Sequence, residues 1–166
     1  MFPTSPLLKQ LFVTIGFIWV LPLSILAWIC LYLLKIMGQV NNVVVDQSDC
    51  SFIWLIQENS FLHKISKGWF GCTLGNNLVL VEDTYEIGKG SKFLHEKIHL
   101  KQYYIFGVFF LLVYICNSAW LYCFNKDKHC YYDNFLEVWA RKEAGQKVEI
   151  PKSEWKDGPN DRNPWF

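Results

Sequence analysis

An excess of charge of either sign is missing from this chain. Sixteen Lys and Arg stand against fifteen Asp and Glu for a net charge of +1, so there is no basic face or stripe of the kind nucleic acid requires, and that class of partner is set aside. The six cysteines contain no Cys-x-x-Cys pair and no zinc-finger spacing. Cys30 lies in one apolar run and Cys116 and Cys123 in another, while Cys50, Cys72 and Cys130 share no metal-binding interval, which leaves the redox compartment undecided. No Asn-x-Ser/Thr acceptor, internal repeat or low-complexity tract occurs, and 166 residues suit one ordinary domain.

What is abundant is apolar surface, 52% of the residues, and it is clustered instead of spread at helix or strand period. Leu11 to Met37 carries one charge, Lys35, and exceeds the roughly 20 apolar residues a spanning helix needs. The run predicts an N-terminal transmembrane helix, kinked at Pro22, which bilayer helices tolerate. A cleavable signal would be shorter and end in a small-residue site, and neither holds. Lys9 before the run and Lys35 at its end balance each other, so orientation stays open. A second run, Tyr103 to Phe124, has 22 residues and no charge; at 1.5 Å per residue it reaches about 33 Å, enough to cross.

Between these runs, Gln39 to Asp49 reads as a strand-like linker leaving the membrane, and Ser51 to Lys67 has no clean period. Gly68–Thr73 and Leu78–Glu82 flank Leu74-Gly75-Asn76-Asn77, whose Gly and Asn supply turn chemistry, so a β-hairpin is expected there. One edge of it is a candidate partner for an extended peptide by strand addition, and ordinary structural sheet is the plainer reading. Gly88 to Ser91 breaks the chain, with Ser91 as the expected N-cap of a helix whose Lys92, Lys97 and Lys101 face water and whose Phe93, Leu94, Ile98 and Leu100 supply apolar surface.

That helix carries His95-Glu96-Lys97-Ile98-His99. Histidines four apart lie on one helix face a turn from each other and can reach one metal ion. The carboxylate of Glu96 can then take the proton of a water acidified by zinc. A catalytic zinc site needs a third protein ligand and an open position. The metzincin spacing fails, because the sixth residue after His99 is Ile105 and Gln102 replaces the expected Gly. His129, Asp133, Glu137 and Glu143 remain as candidates; Glu137 lies in a helical stretch, Asp133 to Ala144, among Phe135, Leu136, Val138 and Trp139, where a carboxylate needs a partner. Arg141, four residues on, is the plain alternative partner. Glu143 and Glu149 read as solvated charges, His63 as a surface or structural residue, and His129, Tyr131 and Tyr132 as interfacial residues in preference to oxyanion donors.

Gly71-Cys-Thr-Leu-Gly75, His95-Glu-Lys-Ile-His99-Leu-Lys-Gln102-Tyr, the apolar segment and Asn134-Phe-Leu-Glu137-Val-Trp-Ala140-Arg141 together resemble small gluzincin-type zinc metallopeptidase-like membrane proteins, across residues 68 to 145. The resemblance implies an α+β fold in which an N-terminal transmembrane anchor (1–38) precedes a zincin-like unit (39–150, including the apolar segment 103–124), followed by a polar tail (151–166). It implies Zn2+ as cofactor, His95, His99 and Glu137 as ligands, Glu96 as general base, Gln102 as a motif position without an assigned role, and a peptide or protein substrate near the membrane. Lys97, Phe135 and Arg141 depart from the pattern, Arg141 replacing a carboxylate that orients a ligand in such proteins. If Glu137 is a ligand, the apolar run must bend back without crossing, and Gly107 or Asn117-Ser118 are the expected bend points. A non-catalytic zinc-binding scaffold or interaction protein is the alternative function.

Overall fold

The computed structural model describes residues 5–58, 60–65, 71–82 and 90–155. Helices α1 (Pro6–Ile36), α2 (Phe61–Ile65), α3 (Ser91–Phe106), α4 (Phe110–Phe124) and α5 (Phe135–Glu143) accompany strands β1 (Val40–Asp46), β2 (Ser51–Ile56), β3 (Gly71–Leu74) and β4 (Asn77–Val81). The fold is α+β, and the chain divides into two compact units, Met1–Val108 and Phe109–Phe166.

In the first unit, Pro at the start of α1 and Lys35 in its last turn suit the two helix ends. The helix runs on through Pro22, and its buried residues, Val13, Gly16, Val20, Ser24, Ala27 and Leu31, recur every three or four positions as one stripe. The other faces expose Leu11, Ile15, Ile18, Ile25, Leu26, Ile29 and Leu33. The stripe packs on protein along its length. At Gly16 a Cβ would overlap Tyr104 of α3. Ser24 Oγ accepts from the Asn76 backbone N–H at 3.0 Å, and the Ser24 carbonyl accepts from Asn77 Nδ2 at 3.2 Å. Leu31 joins a core with Val40, Trp54, Ile56, Val79 and Val81. Helix and sheet therefore share one hydrophobic core.

The sheet has the order β1-β2-β4-β3, with β1 and β2 antiparallel, β2 and β4 parallel, and β4 and β3 antiparallel. Strands β2 and β4 are central and almost wholly buried, as their apolar runs require. The expected hairpin is β3–β4, tighter than anticipated: Leu74 pairs with Asn77, leaving the two-residue turn Gly75-Asn76. Gly75 sits at φ +65°, the left-handed region that such turns need. Residues 68–70 of the expected first strand lie outside those described. The stretch expected as a strand-like linker is extended as expected, but as β1 of the sheet and not a free connection, paired from Val40 opposite Ile56 to Asp46 opposite Ser51, because its valines have a partner strand to cover them.

The apolar run is interrupted at Gly107, where α3 ends at φ +59° and a three-residue 3-10 turn leads into α4. Asn117 and Ser118 do not bend it. In the second unit they hold α5: Asn117 Oδ1 accepts from Phe135 N–H at 3.1 Å, and Ser118 Oγ accepts from Asn134 Nδ2 at 2.8 Å. Asn134 caps α5, its side chain accepting from Leu136 N–H. In the stretch expected as polar tail, Trp155 is buried edge-on against His129, ring centroids 4.9 Å apart, because its indole has an apolar and aromatic surface to cover. By length and composition, Pro6–Ile36 and Ser91–Phe124 are each long and apolar enough to cross a membrane.

Candidate metal centre

Helix α3 is buried on more faces than an amphipathic reading allows. Its N-cap is Gly90, Ser91 being already helical. Lys92 is exposed, but Lys101 is buried and only 13% of the Lys97 side chain meets solvent. The ammonium of Lys97 donates to Asp46 Oδ2 at 2.7 Å, Asp49 Oδ2 at 2.5 Å and Ser51 Oγ at 3.3 Å, joining α3 to the β1–β2 connection. Burial alone would push the Asp46 carboxyl up; the hydrogen bonds from Lys97 and Ser48 and the Lys97 charge outweigh it and hold the group at about 2. The motif lysine is thus a structural cation, which the helix period could not reveal because its partners lie 46 to 51 residues away in sequence.

His95 and His99 are buried, at 2% and 7% exposure, with their rings edge to face. Their Nε2 atoms lie 3.0 Å apart. Two zinc–nitrogen bonds of 2.0–2.1 Å at a tetrahedral angle separate the nitrogens by about 3.3 Å, so the pair is close to the spacing of one shared ion. Gln102 is fully buried, one turn beyond His99, with Oε1 2.8 Å from His99 Nδ1. Glu96 is buried on the side of β3, where Thr73 Oγ1 donates to its Oε2 at 2.7 Å. Strand and helix meet there closely: a Cβ on Gly71 would come 3.2 Å from Glu96 Cγ. Among the described residues, strand β3 is an edge of the sheet. Burial and then the charge of Glu96 push the neighbouring Cys72 thiol up to about 12, so at neutral pH it is protonated and no thiolate ligand.

Glu137 lies on α5, 3% exposed. Tyr114 OH donates to its Oε1 at 2.9 Å, and Arg141 Nη1 is 4.0 Å from its Oε2. Arg141 also donates to the carbonyl of Tyr132. His95, His99 and Glu137 are a group of residues that could hold a metal ion. Two imidazoles and a carboxylate are a donor set zinc accepts.

The other candidates do other work. His129 accepts at Nδ1 from the Tyr131 and Tyr132 backbone N–H groups, and Asp133 accepts from His129 N–H. Glu143 is exposed and accepts from Trp139 Nε1. Residues that sequence reading missed are Thr73 and Tyr114, which had no local signal, and the role of Gln102, whose signal was its place three residues after His99 on the same helix face. No family model, curated protein or solved structure matches the chain.

Proposed function

We propose that this chain is a membrane-anchored, gluzincin-like zinc metallopeptidase built on a zincin-like unit, with α1 as its transmembrane anchor and peptides or proteins near the bilayer as substrates. The observation that carries the reading is that His95 and His99 bring their Nε2 atoms to 3.0 Å on one helix, while the downstream box supplies a buried carboxylate, Glu137, with which they could hold a metal ion. His95, His99 and Glu137 hold the zinc, which when bound supplies a Lewis acid and an acidified water. Glu96 takes the proton of the water attacking the peptide carbonyl and delivers it to the leaving amine as the C–N bond breaks. Thr73 donates to one oxygen of that carboxylate and so orients it. Strand β3, at the end of the sheet, offers backbone groups to an extended substrate strand.

Zinc content and peptide cleavage, measured on wild type and Glu96→Gln, test this. Stoichiometric zinc in both with cleavage in wild type alone is the expected result; zinc-free wild-type protein overturns it. A second reading, a non-catalytic zinc-binding membrane scaffold, is favoured by one feature. Arg141 sits beside Glu137 where such peptidases carry a carboxylate, and a guanidinium there competes for the ligand oxygen and withdraws charge from it. Zinc without any cleavage dependent on Glu96 selects that reading.

A further inference from the structure

We infer that Gln102 is a positioning residue for the metal, fixing the tautomer and the ring plane of His99. The inference rests on the metal-binding part of the function proposed above and not on peptidase activity. An imidazole ligates through a nitrogen that carries no proton, and which nitrogen that is depends on the hydrogen bond made by the other. Gln102 turns its amide oxygen to His99 Nδ1 at 2.8 Å. An amide oxygen only accepts, so Nδ1 carries the proton and the lone pair is left on Nε2. That atom is the one 3.0 Å from His95 Nε2 and the one facing the shared position. Reversed, the amide would donate to Nδ1, move the proton to Nε2 and abolish the ligand.

The position suits the task. Gln102 lies three residues after His99, so both side chains rise from one face of α3, and at 0% exposure no bulk water replaces the amide. The acceptor is also neutral. A carboxylate here would add a buried negative charge; an amide orients the ring without adding it. Glu96, between the two histidines in sequence, is held separately by Thr73 from β3. The base and the ligand are therefore oriented by different elements, and perturbing one leaves the other's partner in place.

Zinc affinity by competition with a chromophoric chelator, on the full chain in detergent, tests this with wild type, Gln102→Leu and Gln102→Glu. Losing the acceptor should weaken zinc 10- to 100-fold, the usual effect of removing such a partner, whereas Gln102→Glu keeps an acceptor and should bind at least as tightly as wild type. A merely structural role would lower the melting temperature of the chelator-treated and zinc-loaded Leu variant equally; a positioning role shrinks the gap between the two. Should the Leu variant fail to fold, nitrogen-15 correlation spectra of the His99 ring in zinc-free wild type decide the point, with the Nδ1–H form expected. Zinc affinity of Gln102→Leu within threefold of wild type, or an Nε2–H tautomer, overturns the inference. Zinc bound without cleavage sinks the peptidase reading and leaves this one standing.

Discussion

Replacing Lys97 by methionine keeps the aliphatic stem and deletes the ammonium that Asp46, Asp49 and Ser51 surround. What remains is a pair of carboxylates facing each other near the end of β1, one of them with 11% of its side chain exposed and the other with 30%. Removing one partner from a fully buried ion pair costs about 3–5 kcal/mol. The depression of Asp46 from an ordinary 3.8 to about 2 corresponds to about 2 kcal/mol, and about 1 kcal/mol once its contact with solvent is allowed for. A loss of about 2–3 kcal/mol at pH 7 lies between these bounds. The pH dependence has a definite sign. A carboxyl whose pKa is depressed in the folded protein contributes stability above its unfolded value, and that contribution is lost as pH falls through the folded value. The gap between wild type and Lys97→Met should therefore hold above pH 4 and narrow between pH 4 and 2. Urea unfolding in detergent, followed by tryptophan fluorescence, measures it, since Trp54 lies in the core of the same unit. A gap under about 0.5 kcal/mol at pH 7, the scale of an exposed pair, would refute the reasoning. So would a gap unchanged from pH 5 to 2.

Gly107→Ala meets two penalties, a φ of +59° and a Cβ overlapping the Trp19 ring, whereas Gly145→Ala meets only φ +69° with open space around it; unfolding free energies should fall by about 1 kcal/mol for Gly145 and clearly more for Gly107. Asn134→Ala removes the α5 cap and the bonds to Ser118 and Tyr114, so a loss of about 2 kcal/mol is expected, together with weaker zinc binding through Glu137, and calorimetry alongside the chelator competition reads both. Asn77→Leu leaves Trp54 Nε1, now 2.9 Å from Asn77 Oδ1, without its acceptor in the core; about 2–3 kcal/mol should be lost, and near-ultraviolet circular dichroism should report a changed tryptophan environment.

Local signals are what sequence reading used well. The β3–β4 hairpin was legible because Gly75 and Asn76 state a turn within four residues. Helix α5 was legible from its run of periodic residues, and Asn134 is a side chain that caps its own helix. The histidines of α3 were legible because a spacing of four defines one helical face. The same period misplaces the lysines of α3. Period alone sends Lys97 and Lys101 to water, and nothing near Lys97 in sequence announces that its partners Asp46, Asp49 and Ser51 wait 46 to 51 residues away. The extended form of β1 is legible in its β-branched residues, but its place in the sheet is not, because its valines suit an extended connection equally well until β2 is laid against them. Ser51 to Ile56 had no readable period because a central strand is covered on both faces and needs no alternation.

By itself, then, the sequence determined the apolar helix at the N-terminus, the tight hairpin, the His95–His99 face and the capped helix bearing Glu137, since each is encoded within a few residues. Only the tertiary structure decided that α1 shares a core with the sheet, that β2 runs parallel to β4, that the run after His99 breaks at Gly107 and not at Asn117, and that Thr73, Gln102 and Tyr114 hold the groups a metal site would use. Apart from Gln102, these depend on partners distant along the chain. Gln102 depends on which way its amide turns, which residue spacing does not specify.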